Sequence, residues 1–274
     1  MPPPTLFVSL GPLAVALRGL PPGLLRRLAD VWPFSSKEHP AGVVVDVRIV
    51  QTSSARPASD SPGDRLVISG NAWEAVIDPS KSRVEAVIDD ESPNVLLSLL
   101  KVVAQVFPPV LGIGLTLHAS AVERHGQAFV FMGKSGAGKS TIALESLERG
   151  FGNILSDELT FVGEIGDERV PRIVSLPFPH KRPAPVHMST APLRAVFTIQ
   201  QADEDEVVPL DIADQVRAVC SAAAIGVRAS QTMEPALAMS QRLVRRVPVR
   251  RLRFRVGSGF WAAIDEVVPR FDLP

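Results

Sequence analysis

Apolar residues in this chain come in short runs, separated by Gly, Pro, Ser and charged residues. That rhythm predicts many short strands with a few helices between them. Residues 6–17 read as a strand broken near Gly11-Pro12. A short helix follows over 22–31, with Leu24, Leu25 and Leu28 on one side and Arg26 and Arg27 on the other. Residues 35–42 read as a loop, 43–50 as a β-branched strand, and 51–64, rich in Ser, Pro and Ala, as an exposed, mobile loop. Three short antiparallel strands are expected over 65–69, 72–77 and 83–88, with Gly70-Asn71 as a tight hairpin turn. Ser92-Pro93 opens a helix to about Val106 that is apolar on more than one face, and Pro108-Pro109 ends it.

Residues 115–123 and 127–132, joined at His125-Gly126, read as a hairpin that feeds a glycine-rich turn. A helix is expected over 141–149, with Gly150 as its stop. The strand over 153–162 carries Asp157-Glu158 in its middle. Next come a turn (163–169), a strand (172–176) and a Pro-rich loop (178–191) holding His180, Lys181, Arg182 and His187. A strand over 193–200 and an acidic loop over 202–206 precede two helices, 211–225 and 233–245. A strand over 249–256 and a helix over 258–268 close the pattern, and no internal repeat is visible. The fold class is therefore α/β. It divides into a strand-rich N-terminal region (1–92) and a P-loop domain (93–274).

Composition narrows the function classes. The chain has 274 residues, enough for one large domain or two small ones. With 46% hydrophobic and 21% charged residues it can bury a sizeable core. Its formal net charge is zero, which gives no reason to expect a nucleic acid or a membrane surface as partner. A single cysteine, Cys220, excludes an intrachain disulfide and fits a reducing cytoplasm, the expected location. No close Cys or His-Cys cluster points to zinc, and the absence of tyrosine excludes a catalytic Tyr. Residues 6–17 lack a preceding basic residue and contain Pro12, against a signal peptide. Residues 95–117 are interrupted by Lys101, Gln105 and Pro108-Pro109, and read as a buried helix and strand rather than a membrane span.

The strongest chemical signal is Gly133-Lys134-Ser135-Gly136-Ala137-Gly138-Lys139-Ser140-Thr141, which fits G-x-x-x-x-G-K-[ST] at every fixed position. Glycines there allow backbone N–H groups to approach an anion, and the helix that follows adds its positive end. Lys139 is placed to reach the β- and γ-phosphates of a nucleotide and Ser140 to sit on Mg²⁺. An ordinary strand–loop–helix corner is the plain alternative, but it needs no Lys-Ser after its last Gly.

Asp157-Glu158 follow one helix and one turn later, inside an apolar strand. One carboxylate could take a proton from an attacking hydroxyl and the other could hold Mg²⁺, against the alternative of a solvated acidic turn. Phe260-Trp261-Ala262-Ala263-Ile264-Asp265-Glu266 imitates the same apolar-run-then-acid text but reads better as an amphipathic helix. His118, alone on an apolar strand, is either a hydrogen-bonded core residue or a functional one. Lys181 and Arg182 could clamp phosphate or be exposed loop charges. Arg251, Arg253 and Arg255 share one strand face, suited to an acidic partner or to discouraging edge pairing.

These pieces, in this order, resemble the catalytic domain of HPr kinase/phosphorylase and the wider HPr kinase-like group. Leu117-His118 resembles the family's upstream histidine, Gly133 to Ser140 its phosphate loop, Leu147-Glu148-Arg149-Gly150 its helix end, and Ser156-Asp157-Glu158 its small-residue-Asp-Asp segment. The resemblance implies an α/β P-loop fold related to phosphoenolpyruvate carboxykinase. It implies Asp157 as catalytic base toward a serine hydroxyl, Ser140 and Glu158 at Mg²⁺, and His118 beside the transferred phosphate. Lys134, Thr141 and Glu158 depart from the family's acid, Glu and second Asp, and no Leu-Ala-Gly-Arg-Asn run is present. The chain looks closer to stand-alone members, some of which phosphorylate a peptide. The expectation is an ATP- and Mg²⁺-dependent kinase acting on a serine of a protein or peptide. An ATP-binding regulator or ATPase without transfer, and a small-molecule kinase, are the alternatives. The family's oligomers make a homo-oligomer a further expectation.

Overall fold

The computed structural model describes residues 5–31, 35–36, 43–51, 65–89, 92–163, 170–178, 189–223, 230–257 and 259–268. They form two mixed sheets of seven strands each with helices between, a mixed α/β architecture. The chain separates into two compact units, 1–113 with 225–235, and 114–224 with 236–274. The sequence pattern divides it at residue 92. The helix that begins there belongs instead to the first unit, where Trp73 Nε1 donates to its Ser98 Oγ (3.2 Å).

In the first unit, β1 (Thr5–Leu10) and β2 (Leu13–Arg18) are an antiparallel hairpin, so the expected break at Gly11-Pro12 is its turn, with Gly11 at φ 66. Helix α1 (Pro22–Val31) buries Leu24 and Leu28 and exposes Arg26 and Arg27, as its spacing predicts. The two-residue β3 (Ser35–Ser36) stands where a loop is expected. Strand β4 (Val43–Gln51) is followed by β5 (Leu66–Gly70), β6 (Trp73–Asp78) and β7 (Arg83–Ile88). Most of the expected loop at 51–64 lies outside the described residues. The sheet order is β3-β1-β2-β4-β7-β6-β5, with parallel pairs only around β4.

The β5–β6 turn is Asn71-Ala72, one residue later than expected, with Ala72 at φ 62. Gly70 is needed for another reason: a Cβ there would lie 2.1 Å from the Trp73 ring nitrogen. Helix α2 (Pro93–Val110) runs past Pro108-Pro109 instead of ending before them, and the Leu111 N–H closes its last turn on Phe107 O (2.9 Å). It is long and apolar enough to cross a membrane, and 61% of it is buried within the fold.

The second unit holds β8 (Gly114–Arg124), β9 (Gln127–Met132), α3 (Lys139–Glu148), β10 (Asn153–Gly163), β11 (Arg172–Val174) and β12 (Thr190–Gln201). An edge strand, β13 (Glu206–Pro209), α4 (Ile212–Ala222), residues 236–244 of α5 (Ser230–Val244), β14 (Val249–Phe254) and α6 (Phe260–Val267) complete it. Strand β13 begins at the end of the expected acidic loop; its Pro209 is tolerated because the strand is an edge. The order is β11-β10-β8-β9-β12-β14-β13, parallel across β9, β12 and β14 and antiparallel elsewhere. One face packs Phe129, Phe131, Phe197 and Phe254 against Ile142 of α3 and Trp261 of α6. Helix α3 starts two residues earlier than expected and ends on Gly150 at φ 69. There the Phe151 N–H donates to Ser146 O (2.8 Å) and the Gly150 N–H to Leu147 O (3.0 Å).

Candidate functional site

The site is built from the middle of the second sheet outward. Strands β8 and β9 join at His125-Gly126, both left-handed (φ 53 and 75), the turn whose twist matches its strands. Strand β9 is buried from Ala128 onward and leads straight into the glycine-rich loop. Gly136 (φ 80) and Gly138 (φ 104) hold conformations that side chains disfavour. A Cβ on Gly138 would also stand 2.8 Å from the Phe254 ring. The Ala137 N–H donates to Lys134 O (3.1 Å), closing the loop. Lys139 is almost buried, and its Nζ donates to Gly133 O (2.8 Å) and Lys134 O (3.1 Å). Helix α3 has no side-chain cap at its start, which leaves its first amides for water or an anion.

Strand β10 brings the acidic pair to this loop. Its register against β8 shifts by one between Ile154 and Ser156, so Leu155 is an extra residue. Such a bulge re-aims the side chains beyond it. Past the bulge Asp157 lies opposite Ser120, and Leu159 opposite His118. Ser120 Oγ donates to Asp157 Oδ1 at 2.9 Å; the serine is fully buried and the carboxylate 6% exposed. The Ser156 and Thr160 hydroxyls bond to each other, and Thr160 Oγ1 donates to Ala119 O (2.9 Å), pinning the strand on its other face.

A cavity of about 170 Å³ collects His118, Asp157 and Glu158 with Ser135, Gly136, Gly138, Lys139, Ser140, Thr141 and Gln201. Period-two alternation puts His118, Ser120 and Asp157 on the face of α3, whereas Glu158, opposite Ala119, leaves from the other face. Asp157 and Glu158 nonetheless border the one cavity. Gly133, Lys134 and Ala137 border a different cavity, on the α4 side of the loop. Among the described residues no group of three His, Cys, Asp or Glu side chains could hold a metal.

Other expected residues separate from the site. Asp265, on α6, accepts from both terminal nitrogens of Arg124 (2.6 and 2.9 Å), an ion pair that needs no metal. Arg253 pairs with Glu206 (3.0 Å). Lys181, Arg182, His180 and His187 lie outside the described residues. Two residues are missing from the set that the sequence predicts: Gln201, which borders the cavity, and the fully buried Ser120, which holds Asp157. Ser120 is legible there, because it alternates with His118 on a strand whose face the histidine already marks. Gln201 has no comparable signal. Chemically the site offers a buried carboxylate, an ammonium and uncapped amides around one small volume, the equipment for handling phosphate.

A model of the family described as "SynChlorMet cassette protein ScmC" matches residues 86–269, about two-thirds of the chain. The matching family is not the HPr kinase family that the motifs resemble. No curated protein matches the chain. Among solved structures, the "Hpr(Ser) kinase/phosphatase from Coxiella burnetii" aligns with 55% of this chain and 94% of its own, at 11% identity and a TM-score of 0.31. That likeness is too slight to argue from.

Proposed function

The chain belongs to the SynChlorMet cassette protein ScmC family, and from the residues gathered at the site we propose that it is an ATP- and Mg²⁺-dependent kinase that phosphorylates a hydroxyl, a serine of a protein or peptide. The observation that carries this reading is that Asp157 borders the same cavity as Lys139 and Ser140 of the glycine-rich loop. A structural corner would bring no buried carboxylate to that place.

The residues fit the group the reading requires. The uncapped start of α3 and the left-handed Gly136 and Gly138 suit phosphate oxygens. Mg²⁺ takes one or two carboxylates and keeps water and phosphate oxygens, so Ser140 and Glu158 at the cavity suffice without a three-carboxylate cluster. ATP with Mg²⁺ supplies the phosphoryl group and the neutralisation of its charge. Lys139 Nζ, which donates to the carbonyls of Gly133 and Lys134, would hold phosphate oxygens of the bound nucleotide. Asp157 accepts the proton of the acceptor serine, and Ser120 Oγ fixes the carboxylate from behind. His118 stands beside the phosphate in transfer, as the resemblance to HPr kinase implies.

Asp157→Asn tests this directly. Nucleotide binding should persist while transfer from labelled ATP falls by ~10²–10⁴-fold, the size of a general-base contribution. Unchanged transfer would remove Asp157 from that role. The departures from the HPr kinase pattern at Lys134, Thr141 and Glu158 favour a second reading, a nucleotide-holding or ATPase module without transfer. Label released only as free phosphate would support it.

A further inference from the structure

We propose that the cavity on the α4 face of the second sheet is a docking pocket for an acidic peptide segment, gripped by Lys134, Arg251 and Thr198. The pocket holds about 670 Å³ and is bordered by the start of the glycine-rich loop, by β12 and β14, and by α4. Its volume falls within the ~300–1,000 Å³ of ligand sites. The loop forms a wall between this pocket and the cavity of Asp157, with Lys134 on one side and Ser140 on the other.

Three polar groups on its lining lack partners among the described residues. Thr198 Oγ1 is buried and makes no hydrogen bond, a state that costs free energy until a ligand or water fills it. Among the described residues neither the Lys134 ammonium nor the Arg251 guanidinium has an ion pair or hydrogen bond. The contrast with neighbouring arginines is local and sharp. Arg253, two positions along the same strand, is held by Glu206, and Arg217 is held by Asp214. Among the described residues Asp214 is the one carboxylate on the lining and is already engaged. The pocket therefore presents uncompensated positive charge in a chain whose net charge is zero.

Carboxylates answer this set of donors. A guanidinium takes a carboxylate through two parallel hydrogen bonds, an ammonium adds a point charge, and a hydroxyl donates a further bond. The phosphates of a nucleotide are served on the other side of the loop, where the uncapped start of α3 opens. A segment seated on the α4 side therefore lies beside the transfer site, not in it. Identifying that segment as sequence flanking the acceptor serine rests on the kinase reading; the docking itself does not.

The test is a binding measurement on the full chain without nucleotide. A fluorescent peptide with glutamates flanking one serine is compared with its glutamine counterpart. The acidic peptide should bind about tenfold tighter, the equivalent of one charge-assisted hydrogen bond. Arg251→Glu should abolish that preference and Thr198→Val should weaken it, while Arg253→Glu should leave most of it. Equal binding of the two peptides would overturn the proposal. So would an Arg253→Glu effect as large as that of Arg251→Glu, or simple competition by Mg-ATP. Transfer is measured separately with Asp157→Asn. Charge-selective binding by a parent chain that transfers no phosphate to any acceptor would sink the kinase reading and keep the pocket. Loss of transfer in Asp157→Asn with no charge selectivity would do the reverse.

Discussion

Two stretches of this chain carry nearly the same text, an apolar run ending in Asp-Glu, and they do different things. Ile154-Leu155-Ser156-Asp157-Glu158 is a strand with a bulge, and Ile264-Asp265-Glu266 ends a helix. On the strand, alternation sends the two acids to opposite faces and leaves Asp157 with one hydrogen bond, from a neutral serine, beside a cavity. On the helix, Asp265 meets a nearly buried guanidinium in two bonds, and Arg124 in turn lies 4.6 Å from the centre of the Trp261 ring. A carboxylate with its charge already matched is structural. One held by a neutral hydroxyl beside a cavity is placed to meet a ligand.

The largest effect expected from this contrast is on turnover. Asp157→Asn should cost ~10²–10⁴-fold in phosphate transfer, whereas Asp265→Asn should leave transfer per folded molecule within about twofold. The roles reverse for stability. Asp265→Asn should lower it by about 1–3 kcal/mol, below the ~3–5 expected for breaking a fully buried pair, because Asp265 is about a third exposed. Thermal unfolding of the two variants beside the parent protein checks both halves. A stability loss at Asp157 as large as that at Asp265 would break the contrast.

Only part of this difference is legible in the sequence. The glycine-rich loop, the hairpin before it and the helix start can be read to within two residues, because Gly, Lys and strand periodicity act locally. How Asp157 and Glu158 are presented is not legible, because the bulge at Leu155 and the register against β8 are long-range facts. The pattern sets α2 with the second domain, because an all-round apolar helix names no partner. It stops that helix at Pro108, where the chain in fact completes one more turn. Arg124 is invisible as an ion-pair partner, since it lies 141 residues from Asp265.

A smaller effect sharpens the structural half. Trp261 Nε1 donates to Ser146 Oγ (2.9 Å), and its ring meets Phe129 and Phe131 edge-on. Trp261→Phe keeps an aromatic ring but removes the N–H and part of the surface under Arg124. A loss of about 1–2 kcal/mol is expected, one hydrogen bond and part of a cation–π contact. No measurable loss would mean that the Arg124–Asp265 pair holds α6 without the ring.

The smallest effect concerns a third aspartate, which separates the influence of a serine from that of a cation. Asp78 accepts from Ser80 Oγ (2.7 Å) as Asp157 does from Ser120. It also takes the Lys81 N–H (3.2 Å) and has the Lys81 ammonium 3.6 Å away. The Ser80 hydrogen bond foremost holds its carboxyl below the ordinary value; burial, the next influence, pushes the other way, and the Lys81 amide and charge add to the lowering. A depressed carboxyl contributes stability that is present above its unfolded value of about 3.9 and is lost as pH falls through the lower folded value. Ser80→Ala should therefore move the Asp78 midpoint upward in an NMR titration and narrow the acid range over which the first unit gains from it. If the midpoint stays where it is, the two cations 3.6 Å away, Lys81 and Arg65, set it, and a serine alone is too weak a partner to tune a carboxylate.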